Sequence, residues 1–350
     1  MKDAPACGDA MRISTRIALI TIAILLIAAV SGAAFNYFAV RHYRKTYPVP
    51  GQMYSVNGRK MHLYCIGTGS PTLVLESGMG DDFLVWARVQ SELARVTRVC
   101  SYDRAGLGWS EGRPGRRDAN TIANQLHELL VQAAISDRLI LAGHSLGGLV
   151  IRAYAAQFPE EVVGLVLVDS STPDQAVQLP NFSIFFQRQL VELKWTYWKT
   201  LLGFPRVLGK CGQPASGYEA YSGLIKADDC IPLGVATIRR EAEAFLESMK
   251  EVERTGPFPN LEILIFSEDP NIGFEELPAN VRPSARASWN AMQEGLKQLS
   301  PRSHRLIAKG SSHYIQADRP ELLNKEIARL ILQTRTTAPG SSDYGSTVTE

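Results

Sequence analysis

The reading of this chain turns on Leu139-Ile140-Leu141-Ala142-Gly143-His144-Ser145-Leu146-Gly147-Gly148-Leu149-Val150-Ile151. The first four residues form an apolar run of strand length, and the residues after Gly148 read as a helix through Ala156. Between them, Gly143 and Gly147 flank Ser145 in a Gly-x-Ser-x-Gly pattern. At a strand-to-helix corner this pattern forces the serine into a sharp, strained turn with its hydroxyl exposed above a sheet. The glycines are needed because a Cβ would collide with neighbouring backbone in so tight a turn. Chance alone supplies roughly 0.1 such match in a chain this long. The five letters are therefore weak evidence, and their position between strand and helix is the strong evidence.

Working outward, strands alternate with helices. Met53-Tyr54-Ser55-Val56, Asn57-Gly58 and residues 59–66 read as a β-hairpin around a type I′ turn. Residues 72–76 form a buried strand, residues 95–102 contain another, and 162–168 follow the serine helix. Residues 261–266 and 304–308 supply the last two strands. Helices are expected at 120–134, with Ile122, Leu126, Leu129, Leu130 and Ala133 on its apolar face, and at 321–332. The pattern predicts an α/β fold, a mostly parallel sheet covered on both faces. The interval 170–260 breaks the alternation, is mainly helical, and is expected to be an insertion on that scaffold.

At 350 residues and 45% apolar content the chain can bury one large core or two modest ones. Its 37 basic and 35 acidic residues nearly cancel, which gives no electrostatic footprint for nucleic acid. Residues 17–40 carry no charge and as a helix would span about 36 Å. Arg12 and Arg16 precede them, and Arg41, Arg44 and Lys45 follow. A single membrane span within an N-terminal segment 1–46 is the favoured reading. A cleaved signal peptide is the rival, with Ser31-Gly32-Ala33 at the cut, and it would make the protein secreted. The basic flanks are too balanced to set orientation. One cysteine, Cys7, lies before the span and four lie after it, which suits an exported catalytic domain. That domain is expected at 47–333, followed by a Ser/Thr/Gly/Pro-rich disordered tail at 334–350.

A serine hydroxyl becomes a useful nucleophile only when a base takes its proton and a third group orients that base. Among six histidines, His313 in Gly310-Ser311-Ser312-His313 follows the last strand, at the carboxyl edge where open parallel sheets form their sites. His144 is expected to point away from the serine into packing. The acid should follow a strand and precede His313: Asp269 is the first choice, with Asp169 one strand earlier and Glu268 adjacent as alternatives. The backbone N–H groups of Leu146 and of Met79, in the Ser77-Gly78-Met79-Gly80 loop, are the expected oxyanion donors.

With Gly143 to Gly148, Tyr102-Asp103-Arg104-Ala105-Gly106-Leu107-Gly108-Trp109-Ser110 and His313-Tyr314-Ile315-Gln316-Ala317-Asp318-Arg319-Pro320-Glu321 in place, the chain resembles the α/β-hydrolase superfamily, its serine-dependent branch with an inserted cap. The resemblance spans roughly residues 52–332. It implies an eight-stranded, mostly parallel sheet flanked by helices, a mainly helical cap, and no cofactor or metal. It departs from the family at Ser77, where many members carry His before the glycine. Relatives on this fold that open epoxides or remove halides use an aspartate nucleophile, and Ser145 stands at that position here. The family's strand order leaves a Cys65–Cys100 bridge open, since the register read from sequence offsets the two sulfurs. Cys211 and Cys230 lie in the insertion as a bridge or as a free pair. The implied activity is hydrolysis of a carboxylic ester, or of an amide or thioester, with a small, apolar substrate. Phe182, Phe185, Phe186, Trp195, Tyr197, Trp198 and Phe204 either face that substrate or form the cap's own core. An acyltransferase, a cofactor-free perhydrolase and a non-catalytic binding protein are the rival readings.

Overall fold

The alternation read along the chain is realised element by element in a computed structural model, which describes residues 7–136 and 138–336. In chain order the elements are α1 (Cys7–Thr46), β1 (Gln52–Val56), β2 (Arg59–Ile66), β3 (Thr72–Glu76), α2 (Ala87–Leu93), β4 (Val99–Tyr102), α3 (Ala119–Gln132), β5 (Leu139–His144), α4 (Leu146–Gln157) and β6 (Val162–Val168). The inserted interval holds α5 (Gln175–Gln178), α6 (Phe182–Leu201), α7 (Phe204–Val207), α8 (Ser222–Asp228) and α9 (Pro232–Glu253). β7 (Glu262–Ser267), α10 (Arg282–Gly295), β8 (Ser303–Ile307), α11 (Ile315–Asp318) and α12 (Pro320–Thr336) complete the fold.

The chain divides into two compact units, Met1–Val49 with Leu193–Val235, and Pro50–Glu192 with Ala236–Glu350. The first boundary falls three residues after the expected end of the N-terminal segment. The inserted interval is shared between the two units. Thr334 is buried in the last turns of α12, so residues 334–336 are helical. Residues 337–350 and the Cys7 side chain lie outside the described part.

In the larger unit, eight strands form one sheet in the order β1-β2-β4-β3-β5-β6-β7-β8. The hairpin turns at Asn57 and Gly58, whose φ values of 48° and 75° are those a type I′ turn requires. β2 pairs antiparallel with β4, and every later pairing is parallel. Cys65 sits directly opposite Cys100 in that antiparallel register, and the two form a disulfide. The register offset expected from sequence is therefore not present.

β3, β5 and β6 carry almost continuous apolar runs because both faces are covered. Leu73, Leu75, Ile140, Ala142, Val166 and Val168 share one face with Trp86, Val89 and Leu93 and with Leu323, Ile327 and Leu330 of α12. Their alternating neighbours face α4 on the other side. Connections reverse direction across β4-β3-β5, so the loops after β3 and β5 emerge side by side at a topological switch point.

The smaller unit is helical. Asn36, buried on α1, donates to the carbonyls of Thr200 (3.2 Å) and Cys230 (3.2 Å) and accepts from Arg206 Nε (2.6 Å). Arg44 pairs with Asp228 at 3.1 Å. Gly32 and Gly203 let two backbones touch: a Cβ on Gly32 would lie 2.3 Å from Leu202 O, and one on Gly203 would lie 2.1 Å from Gly32 O. A disulfide joins Cys211 to Cys230.

Candidate active site

Ser145 lies between β5 and α4 with φ 53° and ψ −119°, the left-handed strain expected of this corner. Its N–H donates to Val168 O (3.1 Å), and its carbonyl accepts from Gly148 N and Ser171 N. These bonds over-determine the strained conformation. The flanking glycines are required by contact: a Cβ on Gly143 would lie 2.4 Å from Gly147 O, and one on Gly147 would lie 2.6 Å from Glu76 O. Leu146 opens α4, so its N–H is among the first-turn donors that have no intrahelical acceptor.

His313 reaches the same cavity from the loop after β8. Its Nδ1 lies 2.6 Å from Asp169 Oδ2, at the end of β6. Asp169 Oδ1 accepts from Trp289 Nε1 (3.0 Å) and from Glu268 N (3.1 Å), so the fully buried carboxylate is held on both oxygens. Burial works against the charged imidazole, but the hydrogen bond and charge of Asp169, with smaller contributions from Asp81 and Glu276, prevail and raise His313 above its ordinary 6.5.

Asp269, the acid expected from sequence, does not meet His313. Its carboxylate accepts from Gly310 N (2.8 Å) and from Asn271 N and Nδ2 (2.9 and 3.1 Å), and its own N–H donates to Ser311 O. Those backbone bonds hold its pKa below the usual carboxylate range. Asp269 thus organises the loop that carries His313, while the residue one strand earlier takes the imidazole. Glu268, the adjacent alternative, lines the cavity as a buried carboxyl. Burial first, and then the neighbouring Asp169 charge, push it up to about 9.

His144 is packed, as expected, and also reaches the cavity. It is buried and lines the cavity, with Nε2 3.0 Å from His313 O and its ring 4.6 Å from the His313 ring. Its Nδ1 makes no hydrogen bond and faces Asp81 Oδ2 at 3.7 Å across Gly78, where a Cβ would lie 2.7 Å from either atom. Burial and then the nearby His313 lower its pKa, which keeps the imidazole neutral.

The Ser77-Gly78-Met79-Gly80 loop is braced from beneath by a buried ionic cluster. Arg104 donates to Ser77 O (2.7 Å) and Gly78 O (2.6 Å), and pairs with Glu76 (2.8 Å) and Glu241 (2.9 Å). Glu241, on α9, also pairs with Arg117 at 2.7 Å and accepts from Gly80 N at 3.2 Å. Burial alone would raise Glu241, but the guanidiniums of Arg104 and Arg117 overrule it and hold it at about 2. Tyr102 donates to Glu76. The motif residues Tyr102 and Arg104 were legible in the sequence, whereas their partner Glu241, well over a hundred residues away, carried no signal.

The cavity over Ser145 has a volume of about 520 Å³. Leu179, Phe182, Phe185, Phe186, Phe245 and Trp289 form apolar wall, and Met79 lines the same space. Among the described residues, the carboxyl groups lining it are those of Asp81, Glu268, Glu275 and Glu276, and no lysine or arginine lines it. Of the cap aromatics named from sequence, Phe182, Phe185 and Phe186 line this space, while Trp195, Tyr197, Trp198 and Phe204 belong to the other unit. Among the described residues, no group of three or more His, Cys, Asp or Glu is arranged to hold a metal ion.

Residues 71–196 match the family model described as alpha/beta hydrolase fold. Among solved structures, a putative lipase from Acinetobacter baumannii superimposes with a TM-score of 0.61 at 18% identity, covering 86% of this chain and 97% of that one. A membrane phospholipase A superimposes at 0.59 and 21% identity, covering 92% and 100%. Among curated sequences, an uncharacterized protein of Schizosaccharomyces pombe is 24% identical over 83% of this chain and 58% of its own length. The rat 1-acylglycerol-3-phosphate O-acyltransferase ABHD5 is 24% identical over 74% and 76%. This chain spans about half the length of the first relatives it matches. The chain has the α/β-hydrolase fold: an eight-stranded, mostly parallel sheet with helices on both faces.

Proposed function

We propose that this α/β-hydrolase-fold chain is a membrane-anchored serine hydrolase that cleaves a carboxylic ester through an acyl-enzyme, with Ser145, His313 and Asp169 as its triad. The observation that carries this reading is the 2.6 Å pairing of His313 Nδ1 with Asp169, in a cavity that Ser145 and His313 line together. With Asp169 holding Nδ1–H, Nε2 is left free as a base. Ser145 Oγ attacks the carbonyl carbon as its proton passes to His313 Nε2, and the carbonyl electron pair moves onto oxygen. The N–H groups of Leu146 and Met79 face that oxyanion, each donor being worth about 3–4 kcal/mol. Collapse expels the alcohol, which takes the proton from His313. Water then repeats the sequence on the acyl-enzyme, releasing the acid and freeing Ser145. The apolar wall suits an apolar acyl or alcohol group.

The anchor reading rests on α1. Within Ser14–Thr46 an 18-residue window reaches a mean hydropathy of 2.6, with none of that window buried. The helix runs unbroken through Ser31-Gly32-Ala33, where a signal cleavage would fall, and Gly32 is packed against Leu202. Two disulfides beyond the span support a non-cytoplasmic catalytic domain.

A fluorophosphonate probe tests the nucleophile. The full chain should be labelled and Ser145→Ala should not, and a folded wild type that resists labelling overturns the hydrolase reading. The same acyl-enzyme could pass its acyl group to an alcohol, as the likeness to the rat acyltransferase suggests. Product analysis on neutral esters with an added alcohol separates the two: free acid as the main product supports hydrolysis, and acyl transfer as the main product supports the second reading.

A further inference from the structure

α1 is exposed all around from Ser14 to Ala28, and its partial burial by the cap residues of its own unit starts in earnest at Gly32. The bare part, residues 14–31, carries Arg16 in its first turn, and its uncharged stretch 17–31 is 15 residues long by its numbering. At 1.5 Å per residue that stretch measures about 22 Å, so the far boundary of a roughly 30 Å hydrocarbon layer falls within about a turn and a half of Gly32. The Gly32–Gly203 backbone contact therefore lies at the level where a spanning α1 leaves the acyl chains.

The chain on either side of Gly203 is unusually apolar for a surface. Trp195 and Trp198, three residues apart on α6, are 62% and 49% exposed. Phe204, Val207 and Leu208, on one face of α7 and just after it, are 54%, 60% and 65% exposed. Leu202 N–H donates to Trp198 O, so both groups are tied directly to the Gly203 corner. Residues 193–210 also hold Lys194, Lys199, Arg206 and Lys210 and no acidic residue. On α1, Phe35, Tyr37 and Phe38 are exposed at the matching level, the position of an interfacial aromatic belt. Apolar and aromatic groups beside lysines are the composition of a surface that sits at the headgroup–acyl boundary of an anionic bilayer.

We infer that the Trp195–Leu208 surface of the cap is a second membrane-binding element, inserted into the interfacial layer of an anionic lipid bilayer beside the point where α1 emerges. The inference rests on α1 as a membrane span and is independent of the chemistry at Ser145. Continuity with that span argues for lipid over a protein occupant. The glycine pair fixes the surface to the helix at one depth, so a chain anchored by α1 presents these side chains to the membrane.

The tryptophans supply the test. Of the five tryptophans none lies on α1, Trp86 and Trp289 are buried, Trp109 is half-buried beside His62 and Phe83 in the larger unit, and Trp195 and Trp198 are exposed. The full chain is reconstituted in phosphatidylcholine–phosphatidylglycerol vesicles with or without bromine at the 6,7 positions of the acyl chains, and flotation checks the anchor. Brominated lipid should quench part of the emission, and most of that quenching should vanish in Trp195→Phe/Trp198→Phe, which still floats. Flotation with equal emission in both lipids overturns the inference while leaving the anchor intact. So does emission from these tryptophans that is shielded by self-association or by a bound protein. Failure to float overturns both the anchor and this surface. Retained hydrolase activity in the double variant separates the result from the reading of the triad.

Discussion

Asp169 Oδ2 lies 2.6 Å from His313 Nδ1, while the other oxygen of that carboxylate is held by Trp289 Nε1 and Glu268 N–H. The carboxylate is therefore held on three sides, and it holds the imidazole in turn. This preorganised pair sets most of what can be measured.

Asp169→Asn should lower kcat by about 10⁴-fold with little change in KM, the scale for a triad acid whose loss leaves the imidazole in the wrong tautomer. Asp269→Asn should cost far less, because its bonds reach Gly310 and Asn271 and not His313. Steady-state kinetics on one neutral ester decides between them. Equal losses, or a larger loss at 269, would overturn the assignment.

His313 must be neutral to accept a proton, and the Asp169 pairing raises its pKa. The acid limb of kcat/KM should therefore lie above pH 6.5, with activity falling as pH drops through it. In the residual activity of Asp169→Asn that limb should move down, since the charge that raised it is gone. A wild-type profile flat to pH 4 would rule out His313 as the base.

Glu268 stands at about 9 against an ordinary 4.5, so the fold favours its protonated form. The native state binds a proton there that the unfolded chain has lost, and stability falls as pH rises from about 4.5 through about 9. Glu268→Gln removes that penalty. Its Tm advantage over wild type should grow between pH 5 and pH 9, as read by thermal melts in matched buffers.

Glu241→Ala leaves Arg104 and Arg117 buried without their shared carboxylate. Breaking a buried ionic cluster in this way costs about 3–5 kcal/mol. Because Glu241 also accepts from Gly80 N–H, kcat should fall in the fraction that remains folded. Urea denaturation and active-site titration with a fluorophosphonate separate the two effects.

Besides the protonated Glu268, the carboxyl residues Asp81, Glu275 and Glu276 line the cavity, and among the described residues no lysine or arginine does. A like charge within about 8 Å costs roughly 2 kcal/mol at an effective dielectric of 20. A p-nitrophenyl ester whose acyl chain ends in a carboxylate should thus show a kcat/KM at least tenfold below that of a neutral ester of equal length. Glu276→Gln should narrow the gap.

Much of this molecule could be read from its own residues, for local reasons. The alternation of apolar strands with amphipathic helices, Asn57-Gly58 at the hairpin and the Gly-Ser-Gly corner all depend on neighbours a few positions away. So do the apolar α1 and the position of His313 just after β8. Tertiary structure decided whatever depends on which distant groups share space. Asp169 and Asp269 are both carboxylates just beyond strand ends, and nothing local separates them. The difference is that Trp289 and Glu268 N–H point at one, and Gly310 N–H at the other. The same holds for Cys65 opposite Cys100, for Glu241 beneath the glycine loop, and for Gly32 against Gly203. Each is a contact between segments whose register is set by packing, which a linear pattern of polarity does not encode.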